Sequence, residues 1–258
     1  ERAALLIARD AYPGLDIEAE LARLDELAAP LARRIATAKT PLARAGALGT
    51  YVYDQLGFRG DEQSYYDPRN SYLNEVVARR AGIPITLAVL LIGLGRRAGM
   101  SVEGVSFPGH FLVRIGGEGG LFLDPFFRAR VLSPEGLALL ARKSMGASAK
   151  VLPEHLVPAS PLIMAVRMLT NLKAIYESRH EHARALVVCD RLADLTGSPE
   201  QRRDRGVHAL ALGATAAGQA DLEAYLSARP GAPDVERLRG LLAKAATTVS
   251  RSGSRGAN

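Results

Sequence analysis

Asn70-Ser-Tyr-Leu-Asn-Glu-Val-Val-Ala-Arg-Arg-Ala-Gly-Ile-Pro-Ile-Thr-Leu87 holds the junction on which the fold turns. Ser71 can cap a short helix that places Asn74 and Glu75 in its first turn. That helix runs to the Arg79-Arg80 pair and stops at Gly82. Pro84 opens a second helix, at the position where a missing backbone N–H costs nothing. From Leu87 to Ile92, and again at Leu94, this helix is apolar on every side, the pattern of a segment buried all round. Gly99 ends it.

Downstream the hydrophobic period changes from about 3.6 to about 2. Val102 to Phe107, His110 to Ile115 and Gly120 to Asp124 read as short strands. Gly116-Gly-Glu-Gly-Gly120 is the hairpin turn between the last two. With the turn centred on Gly117, Ile115 faces Gly119 and His110 faces Asp124, within side-chain reach across the ladder.

Upstream, Leu15, Ile17, Leu21, Leu24, Leu27 and Leu31 form one apolar stripe of a helix over 15–38. Thr40-Pro41 breaks it, and a second helix spans 42–56 up to Gly57. The connection from Gly57 to Asn70 is turn-rich and long for an idle loop. Its Tyr65 and Tyr66 argue against disorder, and Tyr66 is a candidate contact residue.

From Pro161 to Ala246 the chain reads helical and repeats itself. Ala183 and Ala217, Pro199 and Pro233, Leu186 and Ala220, and Tyr176 and Leu210 recur at one spacing. It is the roughly 34-residue period of a tetratricopeptide repeat. A plain helical hairpin bundle is the competing reading, since two repeats are few for a stacked array.

The chain has 258 residues, a net charge of +6 and one cysteine. At roughly 150 residues per domain the length fits one large domain or two modest ones. The lone Cys189 excludes an internal disulfide and any multi-cysteine zinc or iron–sulfur centre. Among 33 basic residues only Lys39, Lys143, Lys150, Lys173 and Lys244 are lysines, and the arginines are scattered in pairs among acids. A nucleic-acid face needs basic residues gathered on one element with aromatics between them, so nucleic acid is not an expected partner. No apolar run reaches about 18 residues, which argues against a spanning helix. The Glu-Arg-Ala-Ala start, with no Met and no signal-peptide pattern, reads as a trimmed start; the expected setting is reducing and cytoplasmic.

Asn70–Leu87, Phe107-Pro-Gly-His-Phe-Leu-Val-Arg114 and Phe122-Leu-Asp-Pro-Phe126 together resemble one branch of the transglutaminase-like superfamily. In that branch a transglutaminase-like core precedes C-terminal tetratricopeptide repeats. It includes bacterial invasion-regulator proteins and resembles part of an F-box-type ubiquitin-ligase subunit. The likeness runs from Leu15 to Ala245. It implies an α+β, cysteine-protease-like core over 1–157, with a central buried helix and an antiparallel sheet. An all-α, tetratricopeptide-like domain follows over 158–248, and then a polar tail, 249–258, expected to be disordered.

In active members of the superfamily a cysteine opens the central helix, and a histidine and an aspartate lie on the following strands. The resemblance places these on His110 and Asp124, the pair that the hairpin also brings together. The nucleophile's place, in Gly82-Ile-Pro84 with Ala88 four residues on, is Pro84. Proline supplies neither nucleophile nor donor. Thr86 lies about 200° round the helix from Pro84, and Cys189, among Leu186, Val187 and Val188, reads as a small buried hydrophobe. His110 and Asp124 are then either a surviving base–orienter pair or a hydrogen-bonded closure of the hairpin. Asn70, Ser71, Asn74 and Glu75 either line the same cleft or serve as caps and loop ties. Thr86 and Tyr66 complete the candidate cleft. One histidine and one aspartate lack the third ligand that zinc requires, so no metal and no cofactor is expected. The sequence therefore points to a non-catalytic, regulatory protein- or peptide-binding scaffold. The alternative is a hydrolase or amidase in which His110 activates water.

Overall fold

Three helices open the chain: α1 (Arg2–Ala11), α2 (Ile17–Thr37) and α3 (Pro41–Gly49). The computed structural model describes residues 1–253, with side chains as far as Ala246. Asp16 caps α2 by accepting from the Ala19 N–H at 3.0 Å, and Thr40 caps α3 in the same way from Ala43. Leu24, Leu31 and Ile35 carry the buried face of α2. The helix expected over 42–56 is α-helical only to Gly49 and continues as a π turn over Thr50–Gln55. That wider turn allows the consecutive Tyr51, Val52 and Tyr53 all to be buried.

The segment from Gly57 to Asn70 is more ordered than its composition suggests. A two-residue strand β1 (Arg59–Gly60) pairs in parallel with β2 (Ala81–Gly82). A 3-10 turn over Pro68–Ser71 leads into α4 (Leu73–Arg79). The central helix α5 (Pro84–Arg97) is buried at every residue from Pro84 to Gly95, as its all-round apolar pattern requires.

The sheet is an antiparallel meander, in order β3 (Val102–Val105), β4 (Leu112–Ile115), β5 (Leu121–Asp124) and β6 (Arg130–Leu132). Helix α6 (Pro134–Met145), capped by Ser133, follows. Leu137 and Ala141 of α6 pack with Val105, Phe107 and Leu112 in one apolar cluster. Neither β6 nor α6 was foreseen from the sequence.

The remaining helices are α7 (Pro161–Ser178), α8 (His182–Thr196), α9 (Pro199–Ala211), α10 (Thr215–Ala228) and α11 (Val235–Gly253). The chain divides into two compact units, Glu1–Met168 and the residues from Leu169 onward. In sequence the repeat makes α7 equivalent to α9 through Tyr176 and Leu210, and α8 equivalent to α10 through Ala183 and Ala217, while in space α9 packs against α8 and α10. At Gly206 a Cβ would stand 3.0 Å from the Gly218 carbonyl, so α9 and α10 approach at glycine distance. Of the 249–258 tail, the described part is the end of α11 to Gly253; 254–258 lie outside the described residues. Among the described residues no helix is long and apolar enough to cross a membrane.

Candidate functional site

The β4–β5 register differs from the expected one. Ile115 pairs with Leu121 and Val113 with Leu123, so the turn is centred on Glu118 rather than Gly117. Extended by one pair, this register puts Leu112 opposite Asp124. His110 stands outside β4, in the turn after Phe107, where its N–H meets the Phe107 carbonyl at 3.0 Å. From that turn, two residues before β4, the histidine side chain reaches the aspartate at the end of β5.

His110 Nε2 lies 2.8 Å from Asp124 Oδ1. A carboxylate only accepts, so Nε2 carries the hydrogen and Nδ1 of the neutral ring holds the lone pair. Asp124 is fully buried and serves more than the histidine. Its Oδ1 also accepts from the Phe126 and Phe127 N–H groups at 3.1 and 3.3 Å, and Arg130 Nη2 stands 3.5 Å from Oδ2. Burial works against its charge, yet His110 and the two backbone donors outweigh burial and hold the carboxyl below its ordinary pKa.

At the mouth of the central helix, Pro84 occupies the first helical position and is buried. Thr86 is also fully buried, and its hydroxyl is committed to structure. It accepts the Ile83 N–H at 3.2 Å and donates to the Asn70 carbonyl at 2.7 Å. A Cβ on Gly82 would stand 2.9 Å from that hydroxyl, so only glycine fits there.

Asn70 is a hub of the loop before α4. Its amide donates to Asp61 at 3.1 Å and to the Ser64 carbonyl at 2.7 Å, and its own carbonyl oxygen Oδ1 accepts from Arg79 at 3.0 Å. Ser71 does not cap α4. It ends the preceding 3-10 turn, Tyr72 takes the cap position, and the Ser71 Oγ is buried without a hydrogen-bond partner. Asn74 Oδ1 is likewise buried and unpaired, while Glu75 is half-buried in the first turn of α4. Two unsatisfied oxygens within four residues are unusual, because buried polar atoms nearly always find partners.

A feature absent from the sequence reading lies beside the aspartate. Tyr66, Tyr65, Phe126 and Phe127 form a chain of edge-to-face rings, with successive centroids 5.2, 5.8 and 5.3 Å apart. Arg130 lies over the Phe127 ring at 4.9 Å. Tyr66 is 72% exposed and Phe127 39%, so the chain surfaces at both ends. It depends on close docking of the loop: a Cβ on Gly60 would meet the Phe126 carbonyl at 2.6 Å. Only the aromatic dipeptides Tyr65-Tyr66 and Phe126-Phe127 hint at it in the sequence.

A family model described as the transglutaminase-like superfamily matches residues 18–170, and a tetratricopeptide-repeat model matches residues 172–243. A UPF0162 protein of Xylella fastidiosa is 40% identical over 244 residues, covering 93% of this chain and 87% of its own. A UPF0162 protein of Vibrio cholerae is 31% identical over 200 residues, covering 76% of this chain and 74% of its own. F-box only protein 21 of Mus musculus is 36% identical over 96 residues, which is 34% of this chain and 15% of that protein. No solved structure matches the chain.

Proposed function

Because the chain belongs to the transglutaminase-like superfamily, alongside the UPF0162 proteins, and carries tetratricopeptide repeats after its core, we propose that it is a non-catalytic protein- or peptide-binding module. The observation that carries this reading is Pro84. Where active superfamily members place a cysteine, this chain has a buried side chain with no nucleophile and no donor. The neighbouring hydroxyl of Thr86 is held in two buried hydrogen bonds, and the chain's one thiol, Cys189, belongs to the second unit. What the core does present is the aromatic chain from Tyr66 to Phe127, next to the His110–Asp124 pair. Tyrosine, phenylalanine and arginine supply contact area at little entropic cost, which is why interfaces favour aromatics and arginine. The ligand that suits them is an extended peptide segment bearing an apolar side chain. A regulatory, cytoplasmic role rests on the resemblance to invasion-regulator proteins, by analogy.

The test is a display screen of random peptides against the intact chain, repeated with Tyr66→Ala and Phe127→Ala. Peptides enriched by the wild type and lost at least tenfold by both variants support the reading. No enrichment, or enrichment indifferent to both variants, sinks it.

A second reading is favoured by one observation, the 2.8 Å His110–Asp124 contact with Nδ1 left as the basic atom. In it His110 takes a proton from water attacking an amide or ester carbonyl. Hydrolysis of a peptide and ester panel that disappears in His110→Ala would favour it. Absent or unchanged turnover would remove it.

A further inference from the structure

Three helices of the second unit converge on a cluster that the binding reading does not use. Glu177 near the end of α7, Cys189 on α8 and His208 on α9 each bring one ligand atom to within 4.8 Å of the others. From this arrangement we propose that the helical unit holds a divalent transition-metal ion, Zn(II) fitting best, on Glu177, Cys189 and His208.

The donor set argues for the metal. Thiolate, imidazole and carboxylate together are the ligands of zinc and its neighbours. Calcium and magnesium take oxygen shells instead. The spacing agrees. Ligand atoms about 2.1 Å from a tetrahedral ion stand about 3.4 Å from each other, and His208 Nε2 lies 3.4 Å from Glu177 Oε1. No two of the three ligand atoms lie more than 4.8 Å apart, so side-chain adjustments of no more than about 1 Å bring them to the edge that a Zn–S bond of about 2.3 Å sets. Water supplies the fourth position, as in zinc sites with three protein ligands.

The surroundings are arranged as an outer shell. His182 Nδ1 is 3.1 Å from His208 Nδ1. Without a metal, His208 donates its Nε2–H to the Glu177 oxygen; when His208 instead donates its Nδ1–H to His182, its Nε2 lone pair faces that oxygen and a cation can take the proton's place between them. Fixing the tautomer through the other ring nitrogen is how outer-shell partners orient metal-binding histidines. Lys173, 3.9 Å from Glu177, is the competing cation, but its ammonium is bonded to Asp204 and, at 3.0 Å, to Gln201. Cys189 is fully buried, and burial pushes its thiol up to about 12. On binding, the thiol proton goes to solvent, the sulfur–metal bond forms, and the two imidazoles shift tautomer with no change in their total protonation.

The experiment is titration of the untagged full chain with Co(II), read by its thiolate-to-metal absorption and its tetrahedral d–d bands, then competition with Zn(II). With one cysteine in the chain, the thiolate band reports Cys189 alone. The expected result is one Co(II) per chain, displaced by Zn(II), with the thiolate band lost in Cys189→Ser. Glu177→Gln, at a half-exposed position, should keep the band and weaken Co(II) binding at least tenfold, and serves if Cys189→Ser misfolds. No thiolate band at one equivalent of Co(II), or affinity unchanged in Glu177→Gln, overturns the proposal.

Discussion

His110 and Asp124 meet at 2.8 Å, the histidine reaching from the turn before β4 to the last residue of β5. The same carboxylate oxygen takes two backbone N–H groups of the next turn. The pair thus has a structural duty whether or not it has a chemical one. Replacing Asp124 by Asn removes a charge that four donors share. The expected loss is about 2 kcal/mol, the usual scale for hydrogen bonds to a charged group, measured by urea unfolding at neutral pH.

That contribution has a defined pH window. The folded pKa of Asp124 lies below its ordinary value of 3.8. Its stabilisation is therefore complete above the unfolded pKa and is lost as pH falls through the folded one. The stability difference between wild type and Asp124→Asn should shrink as pH falls below about 4. A difference that stays flat through that fall would contradict this.

Thr86→Val keeps the shape of the side chain and removes its hydroxyl. The Ile83 N–H and the Asn70 carbonyl are then left without it in a buried site. The expected cost is about 2 to 4 kcal/mol for the two groups together. Thr86→Ser, which retains both bonds, should lose only about 1 kcal/mol, the value of a buried methyl. Denaturant midpoints for the two variants check the contrast.

Gly60→Ala puts a methyl against the Phe126 carbonyl and ring. The loop must lift, at an expected cost of about 1 to 3 kcal/mol for overpacking. Limited proteolysis should cut within 57–70 faster than in the wild type, while the rest of the chain keeps its resistance.

In the second unit Arg205 grips Asp221 with two bonds of 2.7 and 2.6 Å and Asp190 with a third of 2.6 Å, tying α9 to α10 and α8. A lysine keeps the charge but not the fork. Arg205→Lys should lower the stability of the helical unit by about 1 kcal/mol, within the range of partly exposed pairs, visible as a lower Tm by circular dichroism.

Much of this was legible in the residues. Pro84, the apolar run after it and Gly99 marked α5 nearly to its ends, because a fully buried helix with proline and glycine at its limits has few other readings. The His110–Asp124 meeting survived a misplaced turn centre. Moving the centre by one residue shifts the facing position by two along the opposite strand, so Asp124 keeps its face. The cap rule misplaces Ser71 because it does not register the 3-10 turn that Asp67 begins four residues earlier by accepting the Arg69 N–H. The meeting of Tyr65-Tyr66 with Phe126-Phe127 has no signal beyond the two dipeptides themselves. It joins segments far apart in sequence, and no local pattern encodes such a contact.

That distance has a consequence for the order of assembly. The Tyr53 hydroxyl bonds to the Pro125 carbonyl across 72 positions of chain, and Tyr65 reaches Phe126 across a similar span. Contacts this remote close late, because the entropy of closing the intervening chain must be overcome before they contribute. Refolding should therefore form the meander first and seat the 57–70 segment afterwards. The aromatic surface proposed for peptide recognition would be the last part of the core to exist.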